Sequence, residues 1–182
     1  NLGLWELAPS GTWAYSYSGP TPRIRNEGII RKTSGAGTTA LSNLGFENAG
    51  QVQVNQGRLN FQSTVGVVSG TFETAQGSTV AFVSASLTNS NPVSFTGSGK
   101  SLFESGNLWL GGTVQPAGLQ LAGGNLFLLP TFQGGVITNL TLEGIRLNGT
   151  NQIVGSLVVS NASLVGRYVI LPTGRLDLAG SG

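Results

Sequence analysis

The chain has 182 residues, of which 29 are glycine and 9% are charged, and its formal net charge is +2. It contains no cysteine and no histidine, which excludes disulfides, thiol chemistry and a Ser-His-Asp triad, and leaves carboxylates and amides as the side chains available to a metal ion. The length predicts about one domain, and no apolar run of about 18 residues is present, so no membrane-spanning helix is expected.

Short strands bounded by glycine, asparagine, serine or proline follow one another along the chain. Apolar residues alternate with other residues, as at Leu119 and Leu121, which is typical of strands that bury one face. Helical periodicity is nearly absent. The predicted strands, in chain order, are residues 4–7, 12–17, 28–31, 51–54, 58–61, 71–73, 79–83, 93–95, 101–103, 108–110, 119–121, 126–128, 136–138, 140–142, 145–147, 152–154, 157–159, 168–171 and 176–178.

Similar sequence recurs about every 20 residues. Residues 106–110 read GNLWL, and residues 124–128 read GNLFL, 18 residues later. A period of this length with two or three strands per repeat predicts an all-β fold, a single-stranded parallel β-helix (solenoid) of about eight to nine coils with an aliphatic lumen. An antiparallel sandwich is the main alternative, because short alternating strands describe it too.

Asparagine recurs with the same spacing as the strands. Equivalent positions of a β-helix stack about 4.8 Å apart, so an inward asparagine bonds the asparagine or the backbone of the coils above and below it. Ligand binding is the alternative interpretation of these residues. The candidate ladder pairs are Asn26 with Asn48, Asn107 with Asn125, and Asn139 with Asn161.

Two groups of aromatic residues are candidates for partner contact. Trp109 and Phe127 occupy equivalent positions of the GNLWL and GNLFL repeats, so they are expected to point outward and stack, or to bind a carbohydrate. The second group is the densest aromatic cluster of the chain and is interpreted as core at an end of the stack, as a seam against a preceding domain, or as a glycan platform. Its members are Trp5, Trp13, Tyr15 and Tyr17.

Four of the nine basic residues fall within ten positions of the sequence. They are Arg23, Arg25, Arg31 and Lys32. A basic cluster of this kind binds acidic glycans, lipopolysaccharide or nucleic acid. The low net charge and the absence of interleaved aromatic residues argue against nucleic acid.

The carboxylates give little support for catalysis. The chain has seven acidic residues, and no two of them are close in sequence, whereas polysaccharide cleavage needs a cluster of carboxylates or a metal site. Glu27, Glu47 and Glu73 are spaced so that one face could stack them, with Arg25 and Arg58 as partners. Solvated charges at the corners are the simpler interpretation.

Two consecutive stretches resemble repeats of large bacterial cell-surface and secreted proteins. Residues 26–39 read NEGIIRKTSGAGTT and residues 45–61 read GFENAGQVQVNQGRLNF, and the similarity extends over about residues 24–130. The resemblance implies a right-handed parallel β-helix of the kind found in autotransporter passengers and adhesins. It implies no catalytic residues. Arg31, which adds a charge beside the usual lysine, departs from the repeat pattern.

These observations together give an expected function. The chain is expected to be a non-catalytic stalk or adhesin-like segment, a β-helix over residues 1–182 that is a fragment of a larger exported bacterial protein at the cell surface. No cofactor and no metal are expected. The expected partners are neighbouring domains or other copies, bound through the solenoid ends, and glycans or a host surface. A carbohydrate-active β-helix protein is the alternative.

Overall fold

The computed structural model describes residues 1–7, 9–15, 19–89, 92–112 and 118–180, and it confirms the all-β prediction: the chain forms a parallel β-solenoid of about 8 turns. The strands in chain order are β1 (Leu4–Leu7), β2 (Gly11–Ala14), β3 (Arg23–Asn26), β4 (Ile29–Lys32), β5 (Thr38–Ser42), β6 (Gly45–Asn48), β7 (Gln51–Val54), β8 (Arg58–Gln62), β9 (Val65–Val68), β10 (Gly70–Thr74), β11 (Thr79–Val83), β12 (Ala85–Asn89), β13 (Val93–Thr96), β14 (Lys100–Phe103), β15 (Gly106–Leu110), β16 (Leu119–Leu121), β17 (Asn125–Leu128), β18 (Ile137–Glu143), β19 (Arg146–Ser160), β20 (Ser163–Ile170) and β21 (Arg175–Ala179).

The strands form three parallel sheets, and each early coil contributes one strand to each sheet. The five-stranded sheet has the order β1-β4-β7-β10-β13, and the six-stranded sheet has the order β16-β14-β11-β8-β5-β2. The ten-stranded sheet has the order β18-β19-β17-β15-β12-β9-β6-β3, with β20 and β21 also paired to β19. Every ladder among the described strands is parallel, so the antiparallel alternative is wrong.

Register places like side chains above one another inside the solenoid. In the six-stranded sheet Leu41, Phe61 and Phe82 are consecutive partners, and all are buried. The ring centroids of Phe61 and Phe82 lie 5.4 Å apart and the rings are stacked, while the Phe61 ring lies 4.3 Å from that of Phe46. The first half of the lumen therefore combines the aliphatic side chains that the sequence predicted with a stack of phenylalanine rings that it did not. Leucine and isoleucine fill the later coils.

Several strands of the ten-stranded and six-stranded sheets are absent from the sequence prediction. They are β3, β5, β6, β9 and β12. Their short runs carry few apolar residues or several small ones, so alternation is weak, and ladder pairing with the next coil fixes them instead. Conversely, the three predicted pieces between 145 and 159 join in the continuous strand β19, because Gly149 adopts a φ of +104° and bends the strand without ending it.

Glycine is required where one coil passes close above another. Gly106 begins β15 with a φ of +109°, and a Cβ at this position would lie 1.9 Å from the carbonyl oxygen of Ala85 in the coil below. No other residue type fits this combination of backbone conformation and contact.

The six-stranded sheet ends at β16 and does not continue into the next coil. A short 3-10 turn, Phe132–Gly135, precedes β18, and β18 pairs with the second half of β19 rather than with β16. The coil length changes at the same point: Leu126 and Leu147 are register partners 21 residues apart, whereas Leu147 and Leu164 are 17 apart. Within the described ranges, no helix is long and apolar enough to cross a membrane.

Candidate functional site

A chain of amide hydrogen bonds runs through the first coils where β3 and β6 end. Asn26 Nδ2 donates to Asn48 Oδ1 at 2.7 Å, and Asn1 Nδ2 donates to Asn26 Oδ1 at 2.8 Å. Asn48 Nδ2 continues the chain to the carbonyl oxygen of Ser69 at 2.7 Å. Asn26 and Asn48 are buried, so these bonds satisfy polar groups that water does not reach. The chemistry of this ladder is used internally.

The second predicted pair also meets, on the outer face of the ten-stranded sheet. Asn125 Nδ2 donates to Asn107 Oδ1 at 3.1 Å, and Asn148, which was not predicted, donates to Asn125 Oδ1 at 3.4 Å. These side chains are partly buried and their amides retain access to solvent.

The third predicted pair is not formed. Asn139 is in register with Ser156, while Asn161 lies in the turn after β19 with a φ of +47°. The two asparagines occupy different rows because the coils here are about five residues shorter than the 22-residue offset on which the pairing was predicted. Both side chains are exposed rather than inside a ladder.

Two arginines of the predicted basic cluster are paired with carboxylates, and a third is bonded to a neutral amide. Arg23 Nη1 lies 2.7 Å from Glu47 Oε1, and Arg25 Nη2 lies 2.5 Å from Glu27 Oε1. Arg31 Nε donates to Gln53 Oε1 at 2.6 Å. Arg23 and Arg25 therefore present paired charges to an acidic partner, and Arg31, bonded to a neutral amide, keeps its charge without a carboxylate beside it.

Lys32 does not belong to that surface at all. Its side chain is 0% exposed, and Nζ donates to the backbone carbonyl oxygens of Pro9, Ser34 (2.8 Å) and Gly35 (3.1 Å). Burial lowers the pKa of the ammonium group below its ordinary value of 10.5. The prediction of Lys32 as a partner contact is wrong: alternation along β4 turns it inward with Ile30, and it closes the corner between the first two coils.

Trp109 and Phe127 stack as expected, in register on the outer face of the ten-stranded sheet. Their ring centroids lie 5.3 Å apart with an interplanar angle of 15°. The two rings face each other along the solenoid axis. The ring faces on which a sugar would stack are therefore already in contact with each other. The pair is better suited to stabilising the sheet face than to forming a flat platform.

The aromatic residues near the start of the chain lie at the first coil. Trp5 and Trp13 are in register with the buried Ile30 and Leu41, and their rings meet edge to face at 6.4 Å. With Tyr15 they line an apolar cavity of about 370 Å³ over the end of the core. Tyr17, the fourth predicted member, lies outside the described residues.

Carboxylates are dispersed in the structure as they are in the sequence. Glu104 Oε2 lies 2.6 Å from Arg58 Nη2, and Glu73 accepts hydrogen bonds from Gln51 and Gln53. Glu27, Glu47 and Glu73 do not form one stack. Of the two partners that the sequence suggested, Arg25 pairs with Glu27, whereas Arg58 pairs with Glu104 instead. In the described part of the chain, no group of three His, Cys, Asp or Glu residues is placed to hold a metal ion.

Two surface concavities lie near the end of the six-stranded sheet, and none of the sequence patterns predicted them. One cavity of about 520 Å³ lies on the side of the ten-stranded sheet, and a second of about 670 Å³ lies between β16 and β18. Gly144 and Asn161 line both, so the two concavities adjoin at a bend, and together they are called here the corner groove. The spacing between leucine register partners is irregular here, with 18 residues from Leu108 to Leu126, 21 from Leu126 to Leu147 and 17 from Leu147 to Leu164, and this irregularity is the sequence signal at this position.

Comparison with known proteins finds no matching family model, no matching curated protein and no matching solved structure.

Proposed function

We propose that this chain is a non-catalytic stalk segment, with an adhesin-like role, of an exported bacterial surface protein. The observation that carries the proposal is that the inward side chains contact one another between coils. Phenylalanine and leucine form packed rows, and the buried asparagine amides and the Lys32 ammonium group find their hydrogen-bond partners inside the rod. At about 4.8 Å per coil, eight turns give a rod roughly 38 Å long. Such a rod spaces other groups apart.

Export to the surface is proposed from the repeat pattern. Residues 26–39 and 45–61 resemble repeats of bacterial cell-surface and secreted proteins, and their structural roles are those a repeat requires: Asn26 and Asn48 occupy equivalent ladder positions, and Lys32 closes a corner. A weakly charged, cysteine-free solenoid is compatible with an extracellular stalk.

Partner contact through the coil ends is part of the proposal. Trp13 continues the row of Leu41 and Phe61 at the first coil and is 56% exposed, and Leu178 continues the row of Leu142 and Val159 at the last and is 71% exposed. Each would be covered by a further coil, supplied by an adjoining segment or by a second copy.

Light scattering over a range of concentrations tests the contact between copies. The chain is expected to associate, and Trp13→Lys with Leu178→Lys is expected to abolish association because a lysine would have to be buried against the next coil. Leu4→Lys, at an exposed outward position of the same first coil, is the matched control and should leave association unchanged. A chain that stays monomeric at every concentration would contradict end-to-end assembly.

Incubation with a panel of polysaccharides tests the non-catalytic role. No reducing or unsaturated sugar ends are expected to appear. Release of either product by the purified chain would replace the stalk proposal with the carbohydrate-active alternative.

A further inference from the structure

We propose that the corner groove binds a neutral or weakly charged oligosaccharide without cleaving it. This goes beyond the stalk role, which needs no ligand in the groove. The groove coincides with the place where β16 and β18 follow each other in the stack without a ladder between them. In a repeat protein, a position that departs from the repeat is freed from the stacking function that fixes the others.

The interruption leaves backbone groups available. β16 pairs with β14 on one edge and β18 pairs with β19 on one edge, and the described backbone bonds include none between β16 and β18. The facing edges therefore offer amide donors and carbonyl acceptors to the groove. Sugar hydroxyls satisfy both kinds of group because each is a donor and an acceptor.

The side chains along the groove have the same mixed character. Asn125, Arg146 and Ser163 are consecutive register partners on the ten-stranded sheet, and they line one arm of the groove together. Thr141 and Glu143 line the other arm. Neither Arg146 nor Glu143 forms an ion pair with another described residue.

Because the groove has one cation and one carboxylate, its net charge is small. The Arg146 guanidinium supplies several hydrogen-bond donors, and the Glu143 carboxylate supplies two acceptor oxygens. This set of groups favours a polyhydroxylated ligand over a strongly acidic one. The two arms, about 520 and 670 Å³, each have the volume of an ordinary small-molecule site.

The shape argues against an extended peptide. An extended peptide that adds a strand between two sheet edges needs those edges to be separated by the width of a strand along its whole length. β16 has only three residues, and a Cβ on Gly144 would lie 3.1 Å from the carbonyl oxygen of Ala122, so the two edges approach each other closely where the arms meet. A compact ligand follows the bend at Asn161, whereas a straight β-strand does not fit it.

Titration calorimetry tests the proposal with defined probes: tetrasaccharides of glucose, N-acetylglucosamine, mannose and galacturonic acid, and an eight-residue extended peptide. Saturable binding of at least one of the neutral tetrasaccharides is expected. Arg146→Gln should weaken it about tenfold or more, since it removes a charge-assisted hydrogen bond. Thr141→Trp, at an exposed position, should abolish binding by filling the groove.

Arg167→Gln is the matched control, because Arg167 is an exposed arginine of β20 outside the groove, and it should leave affinity unchanged. Binding of no tetrasaccharide, binding of the galacturonide or the peptide alone, or equal affinity for the parent and the Arg146→Gln and Thr141→Trp variants would overturn the proposal. Any of these results would leave the light-scattering and polysaccharide tests of the stalk role unaffected.

Discussion

Asn26 and Asn48 form a hydrogen bond between side-chain amides, Nδ2 to Oδ1 at 2.7 Å, with both residues no more than 2% exposed. The two asparagines stand at equivalent positions of consecutive coils, so a single residue type both donates upward and accepts from below. A repeat of this kind satisfies buried polar groups with the same residue in each coil. It also explains why asparagine that recurs with the coil spacing in this chain indicates stacking rather than ligand binding.

Replacing Asn48 with alanine should destabilise the chain by about 1–3 kcal/mol. The change removes the acceptor of Asn26 Nδ2 and the donor to the Ser69 carbonyl oxygen, and it leaves both partners short of a bond inside the solenoid. Urea unfolding measures the loss. Asn55→Ala, at an exposed asparagine, is the control and should change stability by less than about 0.5 kcal/mol. Equal losses in the two variants would contradict the ladder.

The free energy of unfolding should depend on pH through Lys32. Burial lowers the pKa of this ammonium group below 10.5, so between the lowered pKa and 10.5 the unfolded chain binds more protons than the folded chain. Stability relative to Lys32→Met should therefore rise with pH over this window. Unfolding of both proteins between about pH 7 and pH 10 measures the difference.

The comparison with Lys32→Met also cancels the opposite pH dependence of stability that Tyr168 contributes. Burial raises the pKa of Tyr168 above 10.0, so the stability that its neutral form contributes is lost as the pH rises beyond that value in both proteins. If the free energy of unfolding of the parent, minus that of Lys32→Met, fell as the pH rises, the ammonium group would not be desolvated in the folded chain.

Gly106→Ala should destabilise by more than about 1 kcal/mol, since alanine disfavours the left-handed backbone and its Cβ would meet the Ala85 carbonyl oxygen. Thermal unfolding is the measurement. Gly3→Ala is the matched change, because a Cβ there meets nothing within 4 Å, and it should be nearly neutral. If Gly106→Ala were equally neutral, β15 would not lie as close above Ala85 as described.

Phe61→Ala should cost about 3–5 kcal/mol, because Phe61 is fully buried between the rings of Phe46 and Phe82 and its removal leaves a cavity. Phe127→Ala removes the same side chain from the outer face and should cost about 1 kcal/mol. Denaturant unfolding of the two variants gives the comparison. The reverse order would contradict the inward and outward assignment of these strands.

The sequence predicted those parts of the structure that repeat. The GNLWL and GNLFL pair gave the register of Trp109 on Phe127, and the recurrence of Asn26 at Asn48 gave the buried ladder. Both work because a parallel stack places equivalent residues directly above one another. Asn139 and Asn161 fail for the same reason: their offset of 22 residues belongs to the early coils, and the coils that contain them are shorter.

Lys32 and the corner groove show two different limits of sequence reasoning. Clustering of positive charges suggested a surface, whereas the alternation of β4 places Lys32 on the side of Ile30, and carbonyl groups supplied by Pro9 and the following corner make its burial possible. Those carbonyl positions exist only in the folded chain. The groove results from a ladder that is not formed, and local patterns report strands rather than the absence of pairing between them.

Distances between spin labels on one outward row test the stacked scaffold most directly. Val65, Ser86, Asn107, Asn125, Arg146 and Ser163 are consecutive register partners, and the chain has no native cysteine to interfere. Labels at Val65→Cys and Ser163→Cys should lie about 24 Å apart, five coil steps, and labels at Val65→Cys and Arg146→Cys about 19 Å apart. Pulsed electron resonance distances that fail to grow by about 4.8 Å for each coil step would contradict a continuous parallel stack, and with it the stalk.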